Sequence, residues 1–182
     1  MSVTTSADST AESTTEFTTT ARPPGPTSIS IFPNEGTEAS GPLKVTEGLG
    51  YYVYFKNENS DYVTGNFLLN NQGRVTTDSR ILCAYFNPYS QYEDISPCPP
   101  NLPPGNSFAF NQCQLGSNGQ LDCSVQGRYC TSEVLFEISC HEERGLCSTF
   151  YIKNMESNGY GLRIGPSGLA LPQVQLTARS AA

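Results

Sequence analysis

Seven cysteines fall between positions 83 and 147: Cys83, Cys98, Cys113, Cys123, Cys130, Cys140 and Cys147. A structural metal would take such residues in C-x-x-C pairs completed by further Cys or His ligands. No C-x-x-C occurs and the chain has one His, so no metal and no cofactor is expected. Disulfides formed in an oxidising compartment are the better account. Cys113 and Cys123 flank a turn centred on Ser117-Asn118-Gly119, which sets them opposite each other across a hairpin, within bridging distance. Cys83 and Cys98 bracket a Tyr- and Pro-rich loop, and Cys140 and Cys147 bracket His141–Leu146. Sequence does not fix connectivity. Pairing each cysteine locally gives Cys83–Cys98, Cys113–Cys123 and Cys140–Cys147, with Cys130 left as a free thiol.

The loop from Asn87 to Gly105, which starts two residues after Tyr85, holds six prolines together with Tyr89, Tyr92, Glu93 and Asp94. Long loops tied by a bridge often carry binding. Tyrosine rings beside carboxylates can stack on a sugar and hydrogen-bond to its hydroxyls. Tyr85, Tyr89, Tyr92, Glu93 and Asp94 are therefore the candidate binding residues. The plainer account is a long connection stiffened by proline, and the absence of Trp also argues against a sugar platform. His141-Glu142-Glu143 reads as a solvated turn, because adjacent loop residues have no fixed facing geometry for acid–base work. G-x-S-x-G, H-E-x-x-H and phosphate-loop motifs are all absent. No catalytic residue is assigned, and the expectation is a protein that is not an enzyme.

The elements that must hold these residues read as strands. Ile29-Ser30-Ile31, Tyr52–Phe55, Phe67–Leu69, Ile81–Phe86, Phe108–Phe110, Val134–Ile138 and Phe150–Ile152 are β-branched or aromatic runs bounded by Gly, Asn and Pro. No window sustains helical apolar spacing. Tyr54-Phe55-Lys56-Asn57-Glu58-Asn59-Ser60 is repeated as Tyr151-Ile152-Lys153-Asn154-Met155-Glu156-Ser157. A hairpin pattern also recurs around Gly73, Gly119 and Gly168, spaced by 46 and 49 residues. The glycine supplies the positive φ of a short loop. Three such units suit a β-trefoil-like domain, and a β-sandwich or irregular barrel explains the same turns. The fold expected is all-β and disulfide-stapled.

Residues 2–20 contain twelve Ser or Thr, and Arg22-Pro23-Pro24-Gly25-Pro26 follows. Such a segment cannot bury enough surface to offset its ordering entropy. The division expected is a disordered stalk or linker over 1–26, open to O-glycosylation, then a β domain over 27–178 and a tail over 179–182. Net charge is −7, and the ten Lys and Arg are scattered, so nucleic acid is not an expected partner. No apolar run has the length of a membrane helix. The opening Met-Ser-Val-Thr-Thr is not a secretory leader. A secreted chain would then be a fragment or processed form.

In the Thr/Ser-rich arm, the Pro-rich entry and the hairpins Phe67–Val75, Cys113–Leu121 and Leu162–Leu169, the chain resembles uncharacterised domains of filamentous-fungal secreted and cell-wall proteins. The resemblance implies an extracellular or wall-associated location. The expectation is thus a non-enzymatic, monomeric surface protein, with a cell-wall or host glycan as its partner. A structural wall or effector-like protein without a small ligand is the alternative, and a secreted hydrolase is the lesser one.

Overall fold

The computed structural model describes residues 28–46, 52–77, 80–102, 106–132, 138–141 and 144–181. The Ser/Thr-rich arm, residues 134–137 of one expected strand, Pro103 and Pro104, and Glu142 and Glu143 lie outside the described residues.

Seventeen strands are described, and no α-helix. In chain order they are β1 (Ile29–Pro33), β2 (Lys44–Val45), β3 (Tyr54–Phe55), β4 (Val63–Thr64), β5 (Phe67–Leu69), β6 (Val75–Thr77), β7 (Arg80–Tyr85), β8 (Glu93–Cys98) and β9 (Phe108–Phe110). They continue as β10 (Gln112–Leu115), β11 (Gln120–Gln126), β12 (Tyr129–Ser132), β13 (Ile138–His141), β14 (Leu146–Cys147), β15 (Thr149–Asn154), β16 (Tyr160–Gly165) and β17 (Leu176–Ser180). Fifteen of them form one curled antiparallel sheet, and β12 and β13 pair separately. β17 runs to Ser180 against β1, so residues 179 and 180 belong to the sheet and not to a tail.

Curling gives the sheet an inner and an outer face. On β1 the burial alternates residue by residue, as the two-residue period demands. Ile31, Phe55, Phe67, Leu82, Ile95, Phe150, Leu162 and Leu176 fill the interior. β8 is buried along its whole length, because its outer face is covered too. There Ile81, Cys83 and Cys98 make a second small cluster with Leu102, Phe108 and Phe110.

Two of the three expected hairpins form. β5–β6 turns at Gly73 (φ 70°) and β10–β11 at Gly119 (φ 79°), where an L side chain would be strained. In each, the glycine N–H donates to the carbonyl three residues earlier, Asn70 and Gly116. The third does not close. After Gly168 the chain crosses to β15, where the Ile152 N–H bonds Pro172 and the Val174 N–H bonds Phe150. The hairpin unit therefore occurs twice, without a threefold repeat. The sequence repeat has a local meaning instead. Asn57 and Asn154 hold equivalent places in it, and each accepts the backbone N–H two residues on, ending a strand in an Asx turn. Asn59, Asn70, Asn87, Asn106 and Asn118 do the same, which accounts for much of the asparagine content.

The bridges are Cys83–Cys98, Cys113–Cys123 and Cys130–Cys140. Cys113 and Cys123 face each other in register, with Cα atoms 4.0 Å apart. The expected Cys140–Cys147 bridge and free Cys130 are corrected. β13 pairs with β12, which sets Cys140 directly opposite Cys130. β14 pairs instead with β11 and carries Cys147 away. Cys147 is the buried free thiol.

Candidate functional site

The proline-rich connection is not loop throughout. Its centre, Glu93–Cys98, is strand β8, and β-sheet alternation then sorts the expected site residues onto two faces. Tyr85 pairs with Asp94, Asp94 with Arg163, and Arg163 with Tyr151, so one row crosses β7, β8, β16 and β15 on the outer face. Tyr92 lies on the same side, two residues before Asp94. Glu93 turns to the inner face with Ile95. Tyr89, 88 % exposed, lies in the Asn87 turn of the connection before β8, outside this row.

The row centres on an ion pair between Arg163 and Asp94, both buried. A buried pair must recover its desolvation cost through close geometry and neighbours. Arg163 has those neighbours. It donates to the Leu162 carbonyl at 3.0 Å and to the Met155 sulfur at 3.5 Å. The rings of Tyr52 and Tyr92 lie 4.9 and 5.8 Å from its guanidinium carbon, within cation–π range. Gly161 makes the arrangement possible, because a Cβ there would sit 2.7 Å from the guanidinium. Burial raises the Asp94 carboxyl above its ordinary range, and Arg163 pulls in the opposite direction.

Around this pair the tyrosines continue. Tyr52 and Tyr54 stack edge-on at 6.4 Å, and Tyr54 and Tyr62 at 5.2 Å. Tyr85 packs on Phe108 at 5.0 Å. Lys153 donates to the Tyr92 hydroxyl at 2.8 Å and lies 5.5 Å from its ring. Burial raises the Tyr52 hydroxyl, as does Asp94 beside it. At Tyr92 burial acts upward too, but the hydrogen bonds from Lys153 and Ser90 and the nearby cations outweigh it and lower the hydroxyl. The result is a polar aromatic face with ring edges, phenol hydroxyls and one exposed ammonium, all held by a fixed ionic centre.

Three of the five expected residues, Tyr85, Tyr92 and Asp94, therefore come together. Tyr52, Tyr54, Tyr62, Lys153 and Arg163 join them without having been foreseen. Tyr52 and Tyr54 had a readable signal, since alternation places residues two apart on one face. Arg163 had none, because its partner is set by strand pairing across 69 positions of chain.

No group of three His, Cys, Asp or Glu that could hold a metal ion occurs among the described residues. His141 is exposed at the end of β13. No helix among the described residues is long and apolar enough to cross a membrane. Comparison with protein-family models, with curated proteins and with solved structures gives no match to the chain.

Proposed function

We propose that this is a non-enzymatic, extracellular or wall-associated binding domain that takes a carbohydrate on its tyrosine face. The observation that carries the reading is the gathering of Tyr52, Tyr54, Tyr85 and Tyr92 around the Arg163–Asp94 pair, with Tyr62 packed on Tyr54. Sugar rings offer C–H faces to aromatic rings and hydroxyls to phenols and an ammonium, and this face supplies both kinds of partner. Three disulfides suit an oxidising compartment.

A glycan array probed with the disulfide-intact domain tests the proposal. Binding to wall or host polysaccharide fragments is expected. Tyr52→Ala or Tyr92→Ala should weaken it roughly tenfold, the equivalent of about 1.4 kcal/mol for one stacking contact. Tyr89→Ala, outside the strand row, should leave it unchanged. A flat array, or binding indifferent to Tyr52 and Tyr92, would overturn the proposal.

A further inference from the structure

Glu93 was expected to belong to the binding loop, and it serves a different neighbourhood. Its side chain is 1 % exposed on the inner face of β8, opposite Ile164 of β16. Two groups reach it. The Arg144 guanidinium lies 3.7 Å away, and the Cys147 thiol donates to its Oε1 at 3.7 Å. The other charge acting on it is Asp94, the next residue, which points to the outer face and is paired with Arg163. Tyr85 of β7 pairs with Asp94 and not with Glu93. Among the described residues, Arg144 is thus the one cation that acts on this carboxyl.

Arg144 also ties together segments far apart in the chain. Its guanidinium donates to the Ser90 carbonyl at 3.1 Å, fastening the β7–β8 connection. Its own carbonyl accepts from the Gln126 amide. The next residue, Gly145, accepts the Gly127 N–H at 3.2 Å. A cavity of about 310 Å³ opens beside it, lined by Gln91, Arg144, Gly145, Cys147, Pro166 and Leu169. Arg144 is one-third exposed, so it has room to swing toward water.

We propose that the segment Arg144–Cys147 is an acid-released strap, caught on Glu93 through Arg144 and freed when Glu93 takes up a proton. Burial pushes the Glu93 carboxyl up to about 7, against the pull of Arg144, so the catch operates within the range of pH that extracellular proteins meet. Opening removes the Arg144 charge and the Cys147 hydrogen bond, both of which hold the carboxyl down, while Glu93 stays buried against β16. The open form then binds the proton more tightly, so acid favours it, and the one-third exposed guanidinium moves into water. The buried thiol then loses its cover. Cys147 is held up to about 12 by burial first and by the Glu93 charge second, so it is unreactive while the strap is shut.

Hydrogen exchange of the disulfide-intact domain at pH 5.5 and pH 8, corrected for the intrinsic rates at each pH, reads the strap directly. Amides of 144–147 and of 125–127 should lose at least tenfold in protection at the lower pH, while those of β7 and β16 lose none. Glu93→Gln, neutral and nearly isosteric, should show the low protection at both values, and so should Arg144→Ala. Equal strap protection at the two pH values in the unmodified protein, or a pH response that survives in Glu93→Gln, would overturn the proposal.

Discussion

At the scale of the residue, the ion pair of Arg163 and Asp94 organises the outer face, and its energetics are those of a buried pair. Removing one partner strands a charge in a place water does not reach, which costs about 3–5 kcal/mol. Arg163→Met should therefore lower the unfolding free energy by about that amount in urea titration, and Asp94→Leu combined with it should recover most of the loss. Arg163→Lys should not rescue the single variant fully, because an ammonium lacks the planar surface that Tyr52 and Tyr92 cover. A result in which Arg163→Met is as stable as the parent would remove the ion pair from its organising role. At this scale the sequence was partly legible. The Tyr and carboxylate content of residues 85–94 pointed to the neighbourhood of this ion pair. It could not show that Glu93 and Asp94 face opposite ways, because that depends on the segment being a strand, and Pro97 and the prolines around it argued for a loop.

At the scale of the element, the cysteines show where local reasoning holds and where it fails. Cys113–Cys123 followed from a turn and its register, both local. Cys83 and Cys98 follow from two adjacent strands, where Cys83 pairs with Ser96 and Cys98 with Ile81, a diagonal within disulfide reach at a Cα separation of 5.9 Å. The third bridge broke the local rule because β13 and β14, neighbours in sequence, pair with different strands. In the same way, the Gly168 turn has the residues of a hairpin but hands its chain to β15. Alternation and turn glycines are inscribed locally, whereas strand order is decided by long-range packing. Alkylation of the unfolded, unreduced protein followed by peptide mapping should label Cys147 alone, with a Cys130–Cys140 linked peptide recovered. A labelled Cys130 would contradict the pairing.

At the scale of the whole molecule, the Glu93 carboxyl has an effect on stability that runs against the common direction for an acid. In the unfolded chain it ionises near 4.5, and in the fold at about 7. Between those values the folded protein keeps a proton that the unfolded chain has lost, so stability falls as pH rises through the window and levels off above it. The shift corresponds to about 3 kcal/mol. Urea midpoints should decline from pH 4.5 to 7, and Glu93→Gln should flatten that decline. The strap has the opposite pH response to the fold as a whole, since acid loosens it locally while favouring the global fold, and this separates the two effects experimentally.

Sugar contact at the tyrosine face can be read ring by ring. Oligosaccharides found by the array would be titrated into isotopically labelled protein, and shifts of the aromatic ring signals recorded by NMR. The perturbed rings should be Tyr52, Tyr85 and Tyr92, with the Lys153 side chain moving alongside them and Tyr89 unaffected. Saturable shifts confined to another surface, or none at millimolar sugar, would contradict sugar contact at this face.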